Sequence, residues 1–449
     1  MEMNNNNESI HGTWKGRWTF ILAATGSAVG LGNIWKFPYM AGDNGGGAFV
    51  LVYLACICFI GIPIMIAEIT IGRRGRSSPV NTMKRLSLAS DARSSWTLLG
   101  VAGALSGLLI LSFYGVAAGW AIAYIFSGFD YKDSESAFNA WEIFLADPLK
   151  LIFWHTIFSI LTIAIVAKGV IKGLEVWISK LMPLLFILLV ILCLYSMQSG
   201  AFYQGLTYLF QPDFTKINGS VVLAALGQAF FTLSLGMGAI MAYGAYMPSN
   251  QSIVYTAFSV AALDTLVALL AGIAIFPIVF SNDLSPSGGP GLVFQTLPLA
   301  FSSMPMGPLF GIIFFILLSI AALSSSISLL EPSVAWFVES WKMKRLSAAI
   351  LLGSFAWTLG IFSALSFNLM SEFQILGLSF FDFTDFLTNQ IMLPLGGIFI
   401  AIFVGWIMKK EHVMDEIGIT DNFGFQAWKF ILRYIAPLLV ALVFIGYFF

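Results

Sequence analysis

Residues 25–38 read TGSAVGLGNIWKFP, and they interrupt the first long apolar run of the chain. Gly26, Gly30 and Gly32, followed by Asn33, Lys36 and Pro38, do not suit a continuous membrane helix. Glycine is a poor helix former, and an unpartnered backbone amide or carbonyl is costly in hydrocarbon. Close helix packing would account for the glycines, but it does not call for an asparagine and a lysine beside them. The stretch predicts a helix that loses its winding near the bilayer midplane.

The rest of the chain supplies the setting. Of 449 residues, 58% are hydrophobic and 10% charged. That charge content is less than half the ~25% usual in a soluble domain. Apolar runs of about 20 residues recur along the length, each able to cross a bilayer core as a helix. The expected fold is an all-α polytopic membrane protein, and a soluble globular core is excluded. Eleven spans are predicted, near 17–40, 46–71, 96–128, 149–167, 173–197, 219–247, 252–281, 305–341, 346–367, 383–408 and 428–448. The long connection from Ser281 to Pro298 is predicted to form a small surface helix in its later half.

Charge sets the expected orientation. Lys15 and Arg17 precede the first span, and Arg73, Arg74, Arg76, Lys84, Arg85 and Arg93 fill the second connection. Lys168 with Lys172, then Lys342, Lys344 and Arg345, then Lys409 and Lys410, mark later even-numbered connections, whereas the odd ones are acidic or neutral. The positive-inside rule then puts the N-terminus in the cytoplasm and the C-terminus outside. The polar start carries no signal-peptide pattern, and no C-terminal domain is expected beyond the last span. Cys56, Cys58 and Cys193 lie in apolar runs, with no disulfide or metal spacing.

The first span has an echo. GSAVGLGN lies mid-way along it, and FFTLSLGMGAI lies mid-way along the sixth. Two glycine-interrupted helices five spans apart point to two inverted halves, here 17–197 and 219–408, with the eleventh helix, 428–448, added to a single transporter domain. Unwinding frees carbonyls, which are hard ligands for a small cation, and amides, whose partial positive charge faces an anion. Asn33, Thr232 and Ser234 flank the two breaks, Asp264 is an isolated carboxylate in an apolar span, and Ser324, Ser325 and Ser326 stand together in the eighth. An intramembrane carboxylate is costly and by default functional.

These segments resemble a known family. WKGRWTFILAATGSAVGLGNIWKFPYMAGDNGGGAF and GQAFFTLSLGMGAIMAYGAY, with SFYGVAAGW, KGVIKGLEVWISKLMP and FFDFTDF in order, are similar to the signature segments of the neurotransmitter:sodium symporters, in their eleven-span bacterial amino-acid branch. The resemblance implies the leucine-transporter-like fold and sodium-coupled uptake of hydrophobic L-amino acids by alternating access. Two sodium ions are implied. One would be held by Ala28, Asn33, Thr232, Asp264 and the substrate carboxylate, the other by Gly26, Val29, Ala321, Ser324 and Ser325. The substrate carboxylate would meet Leu31, Gly32 and Tyr114, and its ammonium Ala28, Phe231, Thr232 and Ser234. Ile110, Tyr114, Phe231, Met237, Ser325 and Leu329 would line the side-chain pocket. Gly30 would leave room for a zwitterion where monoamine carriers have an aspartate. Asp264 stands where chloride-dependent members have asparagine, and Ala268 where they have a serine ligand, so chloride-independent transport is expected.

By the same resemblance Lys36 and Asp385 form an outer gate above Tyr114 and Phe231, with lysine in place of the commoner arginine. His11 and Glu339 take the positions of the inner gate, and Gly173 with Pro183 would let the fifth span unwind. Glu68, Tyr246 and Glu331 are expected to satisfy backbone freed around the sixth break. Other classes fit less well. A channel needs a continuous polar pore, and the polar residues cluster at mid-depth. For an enzyme, His11, His155 and His412 are scattered and Ser324 has no neighbouring base. No nucleic-acid partner is expected. A sensor that binds the amino acid without moving it stays open as an alternative, as does the oligomeric state.

Overall fold

The computed structural model describes residues 17–448 apart from 288 and 290, with side chains at 18, 19 and a few other positions outside the description. Among the described residues there is no β-strand. In chain order the helices are α1 (Arg17–Ala28), α2 (32–43), α3 (Gly47–Gly75), α4 (Pro79–Ala89), α5 (Ser94–Ile125), α6 (Ser134–Ala146), α7 (Pro148–Ala167) and α8 (170–196). After them come α9 (Phe202–Phe210), α10 (Gly219–Thr232), α11 (Ala239–Tyr246), α12 (Ile253–Ser281) and α13 (Leu292–Ser303). The last five are α14 (Gly307–Trp341), α15 (Arg345–Leu365), α16 (Phe380–Ile407), α17 (Lys410–Ile417) and α18 (423–448).

Nine helices among the described residues are long and apolar enough to cross a membrane, namely α3, α5, α7, α8, α12, α14, α15, α16 and α18. The first and sixth predicted spans are absent from that set because each is two short helices. α1 stops at Ala28 and helical winding resumes at the π turn Gly32–Lys36. α10 stops at Thr232 and α11 starts at Ala239. Both predicted interruptions are present.

Residue chemistry accounts for the second break. Ser234, Gly236 and Gly238 have φ of 55°, 78° and 77°, a left-handed conformation that glycine adopts freely and serine does not. Gly236 is also pressed on by α16, where a Cβ would lie 2.4 Å from the Leu393 carbonyl. The two broken segments run through the middle of one continuous apolar core. Apolar side chains such as Leu149, Phe153, Ile160, Ile187, Leu194, Leu438 and Leu442 dominate the exposed faces of α7, α8 and α18, as a lipid-facing surface requires.

One expectation needs correction here. The helix in the connection after α12 is not a surface element. Leu292, Val293, Phe294, Leu297, Ala300 and Phe301 of α13 are all buried. The Phe294 ring packs against Trp35, Trp120, Tyr124, Trp141 and Phe315, so an aromatic box holds the helix inward. The fifth predicted span is wound from 170 to 196, with a π turn at Val170–Glu175 and Pro183 inside α-helix. Gly173 lets α8 approach α7 closely, since a Cβ there would lie 2.3 Å from the Ile165 carbonyl of α7.

Candidate functional site

The site is built from the backbone that the two breaks release. The last regular bond of α1 runs from Val29 N–H to the Thr25 carbonyl at 2.6 Å. Beyond it, side chains take over. Gly30 N–H donates to Asn33 Oδ1 at 3.1 Å, and Leu31 N–H to the Tyr114 hydroxyl at 3.2 Å. Gln228 Nε2 donates to the Gly32 carbonyl at 2.6 Å, and the Ser234 hydroxyl to the Ser27 carbonyl at 3.0 Å. Few backbone groups could stay dry at this depth otherwise.

One cluster of oxygens lies between α2, α10 and α12. Asn33 Nδ2 donates to Asp264 Oδ1 at 2.7 Å and to the Asp264 carbonyl at 3.0 Å. The Thr232 hydroxyl donates to the Gln228 carbonyl at 3.1 Å and lies 3.3 Å from the Tyr53 hydroxyl. Asp264 is fully buried, and its Oδ2 has no hydrogen-bond partner among the described residues. A buried carboxylate oxygen without a donor is a ready cation ligand, because the ion replaces the missing partner.

A second cluster lies where α14 meets the end of α1. The Ser325 hydroxyl approaches the Val29 carbonyl at 3.1 Å and the Gly26 carbonyl at 3.4 Å. The Ser324 hydroxyl donates to the Ala321 carbonyl at 2.9 Å and reaches the Val29 carbonyl at 3.5 Å. These contacts thus link all five residues expected at this place. Such all-oxygen sets of carbonyls and hydroxyls suit a hard monovalent cation. Ile178 and Met182 of α8 cover Gly26, within 3.1 and 3.3 Å of where its Cβ would be.

Between the clusters is a cavity lined by Ser27, Ala28, Gly30, Gly32, Ile110, Tyr114, Phe231, Ser234, Met237, Ser325 and Leu329. Nine of the eleven residues expected to touch substrate line it; Leu31 meets it through the Tyr114 hydroxyl, and Thr232 lies behind it beside Tyr53. Gly30 has no room for a side chain, since a Cβ would fall 2.3 Å from Ser325 Oγ and 2.7 Å from the Tyr114 hydroxyl. Phe231 carries Lys36 Nζ 4.8 Å above its ring centre, and Lys36 Nζ lies 3.1 Å from Asp385 Oδ1. Lys36 is buried and Asp385 partly so, and the pair stands over Phe231, a residue of the cavity wall.

At the other end His11 lies outside the described residues. Glu339 accepts from Ser78 N–H at 2.8 Å, from the Ser78 hydroxyl and from Asn81 Nδ2 at 2.7 Å, which fixes the start of α4 to the end of α14. Glu68 does support the second break, accepting from Gly236 N–H at 3.1 Å. Tyr246 donates to Glu331 Oε1 at 2.7 Å, and the other carboxylate oxygen is paired with Arg345 at the start of α15. A buried carboxylate needs a cation more than a helix end does, and Arg345 also reaches the Val166 carbonyl at 2.8 Å.

Tyr53, Gln228 and Arg345 were not anticipated as site or support residues. Gln228 is a lone amide in an apolar span, the same signal that singled out Asp264. Tyr53 stands among other aromatic residues and gives no such signal.

The family model of the sodium:neurotransmitter symporter family matches residues 11–142 and 146–449. The chain belongs to that family. Sodium-dependent transporters of Bacillus subtilis (strain 168) and Haemophilus influenzae are each 36% identical to it, covering 96% and 97% of the chain and 97% of their own lengths. The crystal structure of MhsT in complex with L-phenylalanine is similar over 97% of this chain and 99% of that one, with a TM-score of 0.91 and 48% identity. This symporter is therefore a sodium-coupled multi-pass membrane transporter, not an enzyme.

Proposed function

We propose that the protein imports hydrophobic L-amino acids with two sodium ions by alternating access, independently of chloride, in the plasma membrane of a bacterium. Eleven crossings are inferred, the nine continuous helices plus the two broken ones, as two inverted five-helix halves with one helix added. The N-terminus is then cytoplasmic.

The observation that carries this reading is the convergence of both clusters on one short length of backbone, Gly26 to Asn33. The first sodium would bind Asn33, Thr232, Asp264 and the Ala28 carbonyl, and share the substrate carboxylate. The second would bind the Gly26, Val29 and Ala321 carbonyls with Ser324 and Ser325. The amino acid's carboxylate would sit at Leu31, Gly32 and Tyr114, its ammonium at Ala28, Phe231, Thr232 and Ser234. A side chain reaching Ile110, Met237, Leu329 and Ser325 meets mostly apolar atoms, and unbranched Met237 adapts to different shapes. The Asp264 carboxylate would supply the negative charge that a bound chloride supplies elsewhere in the family. Lys36 with Asp385, over Tyr114 and Phe231, would be the outer gate. Glu339 would belong to the inner one with His11, and opening of α8 about Gly173 and Pro183 would expose the second ion to the cytoplasm.

The test is uptake of labelled leucine by proteoliposomes under an imposed sodium gradient. Concentration of label inside, competed by methionine and tryptophan but not by glutamate or lysine, is expected. Replacement of chloride by gluconate should change the rate less than twofold. Binding without concentration would indicate the sensor instead.

A further inference from the structure

A lysine at position 36 raises a problem for a gate. An arginine fork fixes a carboxylate through two parallel N–H bonds, whereas an ammonium is a point charge whose three donors rotate. The carboxylate then needs a second holder to keep one orientation. One is present. Asn389, one turn along α16, donates its side-chain amide to Asp385 Oδ1 at 2.6 Å. Lys36 Nζ reaches the same oxygen at 3.1 Å and the other at 3.4 Å.

Asn389 is 3% exposed, and its own amide oxygen is buried with no donor among the described residues. A buried acceptor left unpaired is destabilising, so the bond to Asp385 is what sets the pose of this side chain. Two neighbouring features hold the arrangement still. The Thr388 hydroxyl reaches the Asp385 carbonyl at 3.2 Å, and the π turn Phe386–Met392, which carries Thr388 and Asn389, starts directly after Asp385.

The geometry points to Asn389 as the positioning residue of the outer gate, holding the Asp385 carboxylate in an orientation that Lys36 alone does not impose. The inference rests on Lys36 and Asp385 being that gate. It adds a partner and a dependence, namely that an arginine at position 36 would make Asn389 dispensable.

The experiment compares wild type, Asn389→Ala, Lys36→Arg, the double variant and Asp385→Ala as full-length protein. It reads kcat/KM for sodium-driven leucine uptake and the rate at which purified protein releases bound leucine. Asn389→Ala is expected to lower kcat/KM about tenfold, the scale of one hydrogen bond to a charged group, and to speed release. In the Lys36→Arg background the same change is expected to matter less than twofold. An equal loss in both backgrounds, or no loss in either, overturns the inference. Asp385→Ala separates the two levels. If it leaves uptake and release unchanged, the gate itself is misassigned. If it impairs both while Asn389→Ala does nothing, only the positioning role falls.

Asn389→Asp gives an arm that does not depend on the arginine variant folding. Two adjacent carboxylates repel when both are ionised, but once one takes up a proton it can donate as the amide does. Release from this variant should be fast near pH 8 and slow toward the wild-type rate near about pH 5.5, with Lys36, Asp382 and Tyr39 as the other titratable groups nearby. A pH profile parallel to that of wild type contradicts the role.

Discussion

Asn33 joins the broken backbone to a carboxylate: its Oδ1 accepts from Gly30 N–H at 3.1 Å, and its Nδ2 donates to Asp264 Oδ1 at 2.7 Å. One side chain thus holds the unwound segment and fixes Asp264, whose remaining oxygen has no hydrogen-bond partner among the described residues. In the proposed mechanism the charge at position 264 takes the place of a bound anion.

Asp264→Asn keeps the shape and removes that charge. Uptake should fall at least tenfold in any anion, as an interaction with a buried ion is worth more than about 1.4 kcal/mol. Adding Ala268→Ser, one turn along α12, should restore uptake in chloride but not in gluconate. The two anions in the double variant are the measurement.

Gly30→Ala should abolish amino-acid binding while the protein still folds. The new methyl would overlap Ser325 Oγ and the Tyr114 hydroxyl at 2.3 and 2.7 Å, inside the cavity and not in the helix core. Equilibrium binding of labelled leucine in sodium should weaken more than tenfold, with a melting temperature within a few degrees of wild type.

Ser325→Ala removes the hydroxyl nearest the Val29 and Gly26 carbonyls. The sodium concentration for half-maximal uptake should rise about three- to tenfold, with a smaller change in the leucine KM. The reverse pattern would place Ser325 with the substrate alone.

The buried ion pair between Glu331 and Arg345 makes a prediction about stability. Arg345→Met leaves Glu331, which is fully buried, without its cation, at a cost of about 3–5 kcal/mol. Adding Glu331→Gln should recover more than half of the lost melting temperature in detergent. No recovery would show that Arg345 acts through its bond to the Val166 carbonyl.

Much of this was legible because membrane chemistry penalises exceptions. Asn33, Asp264 and the serines at 324 and 325 are conspicuous in apolar spans, and glycines beside them mark the two breaks. What escaped the sequence is pairing across distance. Tyr53 meets Thr232 only because α3 happens to lie against α10, and nothing near residue 53 encodes that. Arg345 read as one more cytoplasmic charge, and its role as partner to Glu331 depends on how α15 turns back along α14. The opening expected of α8 belongs to another conformation: Gly173 and Pro183 permit it, whereas the packing of Gly173 on Ile165 accompanies the wound state seen here.

The most direct test concerns shared ligation, in which the first sodium and the substrate carboxylate each complete the other's site. Equilibrium binding of leucine and of its decarboxylated amine should be measured on purified protein in sodium and in choline. Sodium should tighten leucine at least tenfold and leave the amine's weak binding unchanged, since coupling requires a common group. Leucine affinity that is equal in the two salts, or an amine that gains as much as leucine, would contradict the account.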